Sequence, residues 1–474
     1  MWKKNRILWY LLFAFVIAAQ FFIKDYIFFW DTIQLASKHA HWYYENNFRH
    51  LLLPTEFDSG HPPVFGMYLA LWWKCLGQSL IVSHLSILPF SLLSVFLLKR
   101  LGDFFFRSEK LGVLLPLLLL LDPTFAAQNV LISPDAVLMC AFFAGIFAIV
   151  KEKSGLLLIA ALVLAMISLR GMMVVLILYF LKIYYYYQFK KQTFQFKLLW
   201  RASIFFIPAG LFALVFLAFH YQQMGWIAYH ATSPWAASFE KVNAIGLVKN
   251  IGIYAWRMLD FGRVFVMLAL LLLWLKAKIS LNALEQDNRL GFLLVLLIAS
   301  VLLLSPSLLL HKHLSAHRYF LPIYFASSLL CLFLLFQFLQ GSRRYVIYGL
   351  ICLGLWSGNL WIYPPKIAQG WDATLAHLPY YDLSAEMMQL IAARQIPFSE
   401  IGSVFPEVGA RKYRNLNRVE DGFERADLDR HNYIFYANIM NDFSDEDLES
   451  LEKEWEIAEE LKSKGILLRL YRKH

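Results

Sequence analysis

Long apolar runs recur along the first three quarters of the chain, separated by short polar segments. They cover residues 7–23, 82–98, 111–122, 135–150, 155–169, 172–188, 203–219, 262–276, 291–305, 319–339 and 344–362. Runs of this kind predict membrane-spanning helices, about 11 in all. The connections KRLGDFFFRSEK, KEK, QFKKQTFQFK, KAK and GSRR cluster positive charge at every second turn of the chain. Cytoplasmic loops carry that bias, and Lys3, Lys4 and Arg6 before the first run put the N-terminus on the same side. A cleaved signal peptide is the rival for residues 7–23. The length of the run and the charged, aromatic segment after it speak against that rival. The C-terminus then falls outside. Residues 62–77 would break the alternation as a span. They read instead as an external interfacial or half-inserted helix, opening at Pro62-Pro63 within a first external loop over 24–81.

The pattern changes near Tyr363. YIFYANIM reads as a strand, and DFSDEDLESLEKEWEIAEELKSKG reads as a helix stopped by a glycine. The expected architecture is a polytopic α-helical membrane part over 1–362, with external juxtamembrane helices. A soluble α/β domain over 363–474 follows on the outer side. No internal repeat or inverted half-symmetry of the transporter kind is visible.

Composition agrees: 59% of residues are hydrophobic and only 16% charged, which excludes disordered, collagen-like and disulfide-stapled secreted classes. Cys75, Cys140, Cys331 and Cys352 all sit in apolar segments without metal spacing. The net charge of +10 splits unevenly. From Tyr363 on there are 14 Lys and Arg against 20 Asp and Glu, which leaves 30 against 14 in the membrane part. Cytoplasmic loops account for that basic excess, and no nucleic-acid partner is needed.

Sorting charges by side is more informative. Asp103, Glu109, Glu152, Glu285 and Asp287 fall on the cytoplasmic side. Asp25, Asp31, Glu45, Glu56, Asp58, Asp122, Asp135, Glu240 and Asp260 fall outside or at the outer edge of a span. Arg170, Lys241, Lys249, Arg257, Arg263, His311, Lys312, His313, His317 and Arg318 join them there, against the topological bias. Cations in that position call for an anionic partner, and ionisable groups at membrane depth mark substrate paths.

Asp31, in an apolar and aromatic frame after the first span, fits a general base that takes a proton from an attacking hydroxyl, or a helix N-cap. Asp135, after Pro134 at the mouth of a span, has the same two readings. Arg170-Gly171 divides two short apolar runs, where an Arg binds a phosphate or snorkels to the interface. HKHLSAHRYFLPIY carries no zinc frame and fits an anion cradle for a lipid phosphate. The polar, aromatic segment from His230 to Arg263 would cap an external cavity.

Taken together, these residues resemble the GT-C superfamily of polyprenyl-phosphate-sugar glycosyltransferases, of the protein O-mannosyltransferase and lipid A aminoarabinose transferase types. The resemblance covers residues ~1–345 and rests on the order of five motifs. Trp30-Asp31 follows the first span. His61-Pro62-Pro63 opens a juxtamembrane helix ending in Leu76-Gly77. Ser-Pro-Asp135 opens a later span, Arg170-Gly171 splits a helical pair, and Arg318-Tyr319 with Pro322 precedes a late span. Two departures stand out. Thr32 follows Asp31 where many members have a second acid, and Arg170-Gly171-Met172 stands where Lys-Gly-Pro is frequent. The tail is unlike the β-trefoil of eukaryotic members.

The resemblance implies transfer of a sugar from a polyprenyl-phosphate donor, such as undecaprenyl phosphate, to an acceptor hydroxyl on the outer face. It implies one inverting displacement, with Asp31 as the base. Asp31 and Asp135 are then the catalytic candidates. Substrate-binding candidates are His61, Arg170, Arg318, Tyr319, Lys241, Arg257, Arg263, His313 and His317. No metal ligand is assigned; the cations suffice for the leaving phosphate, although some relatives bind a divalent metal. The expected location is the inner membrane of a bacterium, with the C-terminal domain periplasmic. A polytopic lipid or solute transporter and a non-catalytic scaffold subunit are the alternatives.

Overall fold

The computed structural model describes residues 2–233, 235–277, 287–364, 367–417 and 419–474, with the backbone alone for residues 2–6. The side chains of Lys3, Lys4 and Arg6, Lys278 of the KAK connection, and Glu285 lie outside the described residues. All eleven expected spans fall on helices. Among the described residues, five helices are long and apolar enough to cross a bilayer: Leu80–Phe106, Leu169–Phe189, Ile207–Met224, Asn288–Leu310 and His317–Phe338. Counting two bent helix pairs as one span each brings the number to seven. The remaining expected spans fall on shorter helices, including Pro134–Val150, Ser154–Ile167 and Arg343–Ser357. The protein is a multi-pass membrane protein.

The breaks have local causes. Glu109–Leu121 and Pro123–Val130 meet at 74°. Asp122 is held extended before Pro123, and its Oδ1 accepts from the backbone N–H groups of Thr124 and Phe125 at 3.0 Å each. Ala244–Leu259 and Arg263–Ala277 meet at 90°. The turn between them passes through Gly262 at φ 80°, where a Cβ would lie 1.9 Å from the carbonyl oxygen of Gly354. Ser168 divides Ser154–Ile167 from Leu169–Tyr184 and caps the second with its hydroxyl. Gly171 beside it lets the two helices meet, since a Cβ there would lie 2.0 Å from the oxygen of Leu164. The helix expected over 62–77 runs Val64–Leu76 and ends at Gly77, φ 94°.

The C-terminal part carries a six-stranded sheet in the order β2-β3-β1-β4-β6-β5. Its strands are β1 (Ile401–Ser403), β2 (Gly409–Ala410), β3 (Gly422–Arg425), β4 (Tyr433–Ala437), β5 (Trp455–Ser463) and β6 (Ile466–Lys473). Strand β1 pairs in parallel with β3 and β4; the β4–β6 and β6–β5 pairs are antiparallel. The strand expected at YIFYANIM is β4. The long acidic helix is only half present: Asp445–Glu454 is helical, with a Ser444/Asp447 capping box, and β5 follows. The glycine that reads as a helix stop is instead a hairpin turn. Lys464 and Gly465 both have positive φ, as a tight antiparallel turn requires. The glutamates of β5 pair across the strands, Glu460 with Arg469 at 2.7 Å and Glu456 with Arg472 at 2.5 Å. These contacts and the buried Trp455 override helical spacing.

The sheet does not hang free of the membrane helices. Its apolar core includes Phe29 and Leu131, beside Trp371, Tyr380 and Tyr381. The loop after the first helix is therefore part of the C-terminal core.

Candidate functional site

Four helix ends converge where the first and C-terminal segments meet. Trp30, at φ 50°, puts a bulky residue in the left-handed region immediately before Asp31. Such strain persists only where its surroundings impose it. Here Phe29 is buried in the C-terminal core, stacked on His377 at 4.8 Å. The Thr32 hydroxyl accepts from the N–H of Phe29 at 3.0 Å and donates to its carbonyl at 2.7 Å. A π-helical turn, Ile33–Lys38, follows. Asp31 is thereby turned toward Asp135, which opens Pro134–Val150 behind the Ser133 cap.

Arg318, on the turn before Leu321–Phe338, is the hub. Its Nη2 donates to Asp31 and its Nη1 to Asp372, and its Nε lies 3.6 Å from Asp135. Arg170 adds a second guanidinium. It pairs with Asp135 at 2.6 Å, donates to the carbonyl of Arg318 at 2.9 Å and lies over the Tyr319 ring at 4.5 Å. Its buried Nε has no hydrogen-bond partner among the described residues. Three carboxylates thus share two guanidiniums. Side-chain exposure separates the acids: Asp31 is 18% exposed, against 4% for Asp135 and 6% for Asp372. Asp31 is the one that meets the open cleft.

Two adjoining hollows share Leu35, Pro134 and Asp135. The first, about 240 Å³, is lined by Asp31, Thr32, Gln128, Ser133, Arg318 and Asp372 among others. The second, about 380 Å³, is lined by His39, Ser59, His61, Phe65, Ser168 and Arg170. His61 Nδ1 accepts from the N–H of Leu169 at 3.5 Å. Burial, and then the Arg170 guanidinium, push His61 down to about 4. It is therefore neutral near pH 7, a hydrogen-bonding group and not a third cation. The 220–233 segment packs beside this hollow: Ala228 lies against Gly60, and His220 holds Asp58 at 3.1 Å.

Of the eleven candidates the sequence offers, Asp31, Asp135, His61, Arg170, Arg318 and Tyr319 are brought together. Arg257 and His317 lie behind Arg318, gathered on Asp260 at 3.4 Å and 2.8 Å and joined there by Tyr363. Arg263 does not reach the cleft. It grips Asp122 at 2.8 and 2.9 Å and Thr124 at 2.6 Å, under the Tyr324 ring, and so pins the two broken helices to each other. Lys241 and His313 are exposed on the strip where 238–242 runs beside 310–313. Asp372, His39 and Gln128 were not foreseen. Asp372 stands in QGWDATLAH, which carries no motif, and only the fold brings it to Arg318. Among the described residues no three His, Cys, Asp or Glu side chains converge as metal ligands.

No family model and no curated protein matches the sequence. Two solved structures are similar to the chain, both of ArnT from Cupriavidus metallidurans. The form bound to undecaprenyl phosphate has 11% identity over 98% of each chain, with a TM-score of 0.54. The apo form has 11% identity over 98% of this chain and 97% of its own, with a TM-score of 0.50. Likeness over nearly the whole length shows that the chain shares the overall fold of these two structures.

Proposed function

We propose that the protein is a glycosyltransferase that moves a sugar from a polyprenyl-phosphate donor to an acceptor hydroxyl. The observation that carries the reading is the placement of Asp31, the most accessible of three acids, in one cleft with two linked guanidiniums. The neighbour bound to undecaprenyl phosphate shares the fold and supports a lipid-phosphate partner.

In this reading Asp31 accepts the proton of the acceptor hydroxyl as its oxygen attacks the anomeric carbon. The bond from that carbon to the phosphate oxygen breaks, its electron pair leaves on the phosphate, and configuration inverts. The hollow beside Arg170 and His61 takes the phosphate, with the Nε–H of Arg170, unpartnered among the described residues, as a ready donor. Charge that develops on the leaving oxygen is met by fixed, largely buried donors, which are worth more there than in water. Residues 1–362 serve as the catalytic membrane domain and 363–474 as a periplasmic domain, with the N-terminus cytoplasmic and the protein in the inner membrane.

The test uses undecaprenyl phosphate carrying radiolabelled mannose or aminoarabinose, with native membrane extract as the acceptor source. Wild type is expected to transfer label, and Asp31→Asn to lose roughly 10²–10⁴-fold in kcat. An Asp31→Asn protein within a few fold of wild type would remove Asp31 as the base.

A further inference from the structure

The C-terminal segment enters the site itself. The turn Trp371–Ala373 is fastened to the short helix Pro123–Val130 by two side chains. Thr124 Oγ1 donates to the carbonyl of Ala373 at 2.9 Å, and Gln128 Nε2 donates to the carbonyl of Asp372 at 2.9 Å. Gln128 Oε1 in turn accepts from Ser133, the cap of the helix that carries Asp135, at 2.5 Å. On the other side His377 stacks on Phe29, Tyr381 stacks on Tyr26 at 4.2 Å, and the carbonyl of Arg414 accepts from the N–H of Phe28 at 3.1 Å. The same segment thus clamps the loops bearing both catalytic candidates. Between those clamps it inserts a carboxylate against the free side of Arg318.

We propose that Asp372 is a positioning residue of this site, holding Nη1 of Arg318 and so limiting how tightly the guanidinium grips Asp31. The inference rests on the reading of Asp31 as the base. Arg318 donates to Asp31 and Asp372 from opposite amino groups, so weakening one pairing strengthens the other. A base gripped by a full guanidinium charge takes up a proton poorly; one that shares the cation with a second carboxylate takes it up better. The titratable and charged groups around Asp31 are Arg318, which pairs with it and carries Tyr319 beside it, and Asp135 and Asp372, which line the same hollow; Arg170, His39 and His61 line the adjoining hollow, joined to it through Asp135. With all carboxylates ionised and both histidines neutral, two guanidiniums face three carboxylates once Asp31 itself is counted, a net charge of −1; without Asp372 the net would be zero. Burial holds the Asp372 carboxyl above its usual range, against the pull of Arg318, and Asp31 adds to the rise.

The test compares full-length wild type, Asp372→Asn and Asp372→Glu in lipid nanodiscs with the labelled undecaprenyl-phosphate sugar donors. Asn keeps the shape and one acceptor but removes the charge. Asp372→Asn is expected to lower kcat about tenfold with the donor KM within about twofold. The acid limb of its kcat profile is expected to move to lower pH, because a carboxylate held more tightly is ionised earlier and is a weaker base. Asp372→Glu is expected to recover most of the rate. Amide exchange over 314–320 and 371–377 is expected to rise in Asp372→Asn, whether or not sugar is transferred. An unchanged kcat and acid limb beside an active wild type would overturn the proposal while leaving Asp31 as the base. A fall in activity that tracks only lost thermal stability, without a moved limb or rescue by Glu, would equally overturn it. A wild type that transfers neither sugar defeats the functional reading instead. In that case unchanged amide exchange in Asp372→Asn overturns the positioning role, and raised exchange supports it.

Discussion

Arg170 donates from Nη1 to the backbone carbonyl of Arg318 at 2.9 Å, so the two guanidiniums nearest Asp31 are held as one unit. They lie 148 positions apart in the chain, on two different helix starts. Their coupling means that the site responds to the geometry of Arg170 as well as to its charge.

Arg170→Lys is therefore expected to behave as a loss. An ammonium is a single point donor that cannot reach Asp135 and the Arg318 carbonyl together while also lying flat on Tyr319. Losing one charged hydrogen bond costs roughly 1.5–3 kcal/mol, so the KM for the lipid-linked donor should rise about tenfold or more. Titrating the labelled donor against both proteins checks this. A Lys variant with wild-type KM would mean that only the charge at position 170 matters.

Gly171→Ala tests why a glycine follows that arginine. The added methyl would lie 2.0 Å from the carbonyl oxygen of Leu164, so the helix pair around Ser168 has to part. Forced expansion of a packed contact costs about 1–3 kcal/mol. Thermal unfolding in nanodiscs should report a clear drop in Tm, together with reduced transfer as Arg170 is displaced. An unchanged Tm would show that the helices slide apart freely.

The legible part of this molecule was the part written in runs. Apolar segments and alternating basic loops placed all eleven helices, and the six residues at the cleft stood near helix starts, with His61, Asp135 and Arg170 directly beside Pro or Gly. Pairings between distant segments were not legible. Arg263 looked like a free external cation because its partner, Asp122, sits at another helix break, and nothing local ties the two. Asp372 has neither a motif nor an apolar frame to flag it. The helix expected after Asp445 failed at Trp455 because the glutamates of β5 answer to arginines on β6, a cross-strand pairing invisible to spacing along one segment.

Acid should loosen the first loop and the C-terminal domain together. Burial is the largest cause that pushes His39, His41, His61 and His377 each down to about 4, from an ordinary value near 6.5. In that window the unfolded chain binds more protons than the folded one, so stability rises with pH. It is full above about pH 6.5 and is lost as pH falls toward 4, by up to about 3 kcal/mol per histidine. Tm measured from pH 8 down to pH 5 should fall mainly below pH 6.5. Replacing His39 and His377 by Gln should flatten that slope; a slope left unchanged by both replacements would show that these two histidines do not carry it.

Arg263 and Asp122 separate a structural ion pair from a substrate contact. Both side chains are almost wholly buried, at 1% and 3% exposure, and the pair joins the two helix breaks. Arg263→Met leaves the Asp122 charge buried without its cation, at a cost of about 3–5 kcal/mol. Asp122→Asn removes the charge, keeps an oxygen for the N–H groups of Thr124 and Phe125, and strands Arg263 in turn. The double variant leaves no unpaired charge, so its loss of stability should be clearly smaller than the sum of the single losses. Tm values for the four proteins give that coupling directly. The protein that remains folded should keep a donor KM within a few fold of wild type, because the Arg263 guanidinium faces Asp122, Thr124 and Tyr324 and not the hollow beside Arg170. A large rise in KM for Arg263→Met at a temperature where it is fully folded would return Arg263 to the donor site.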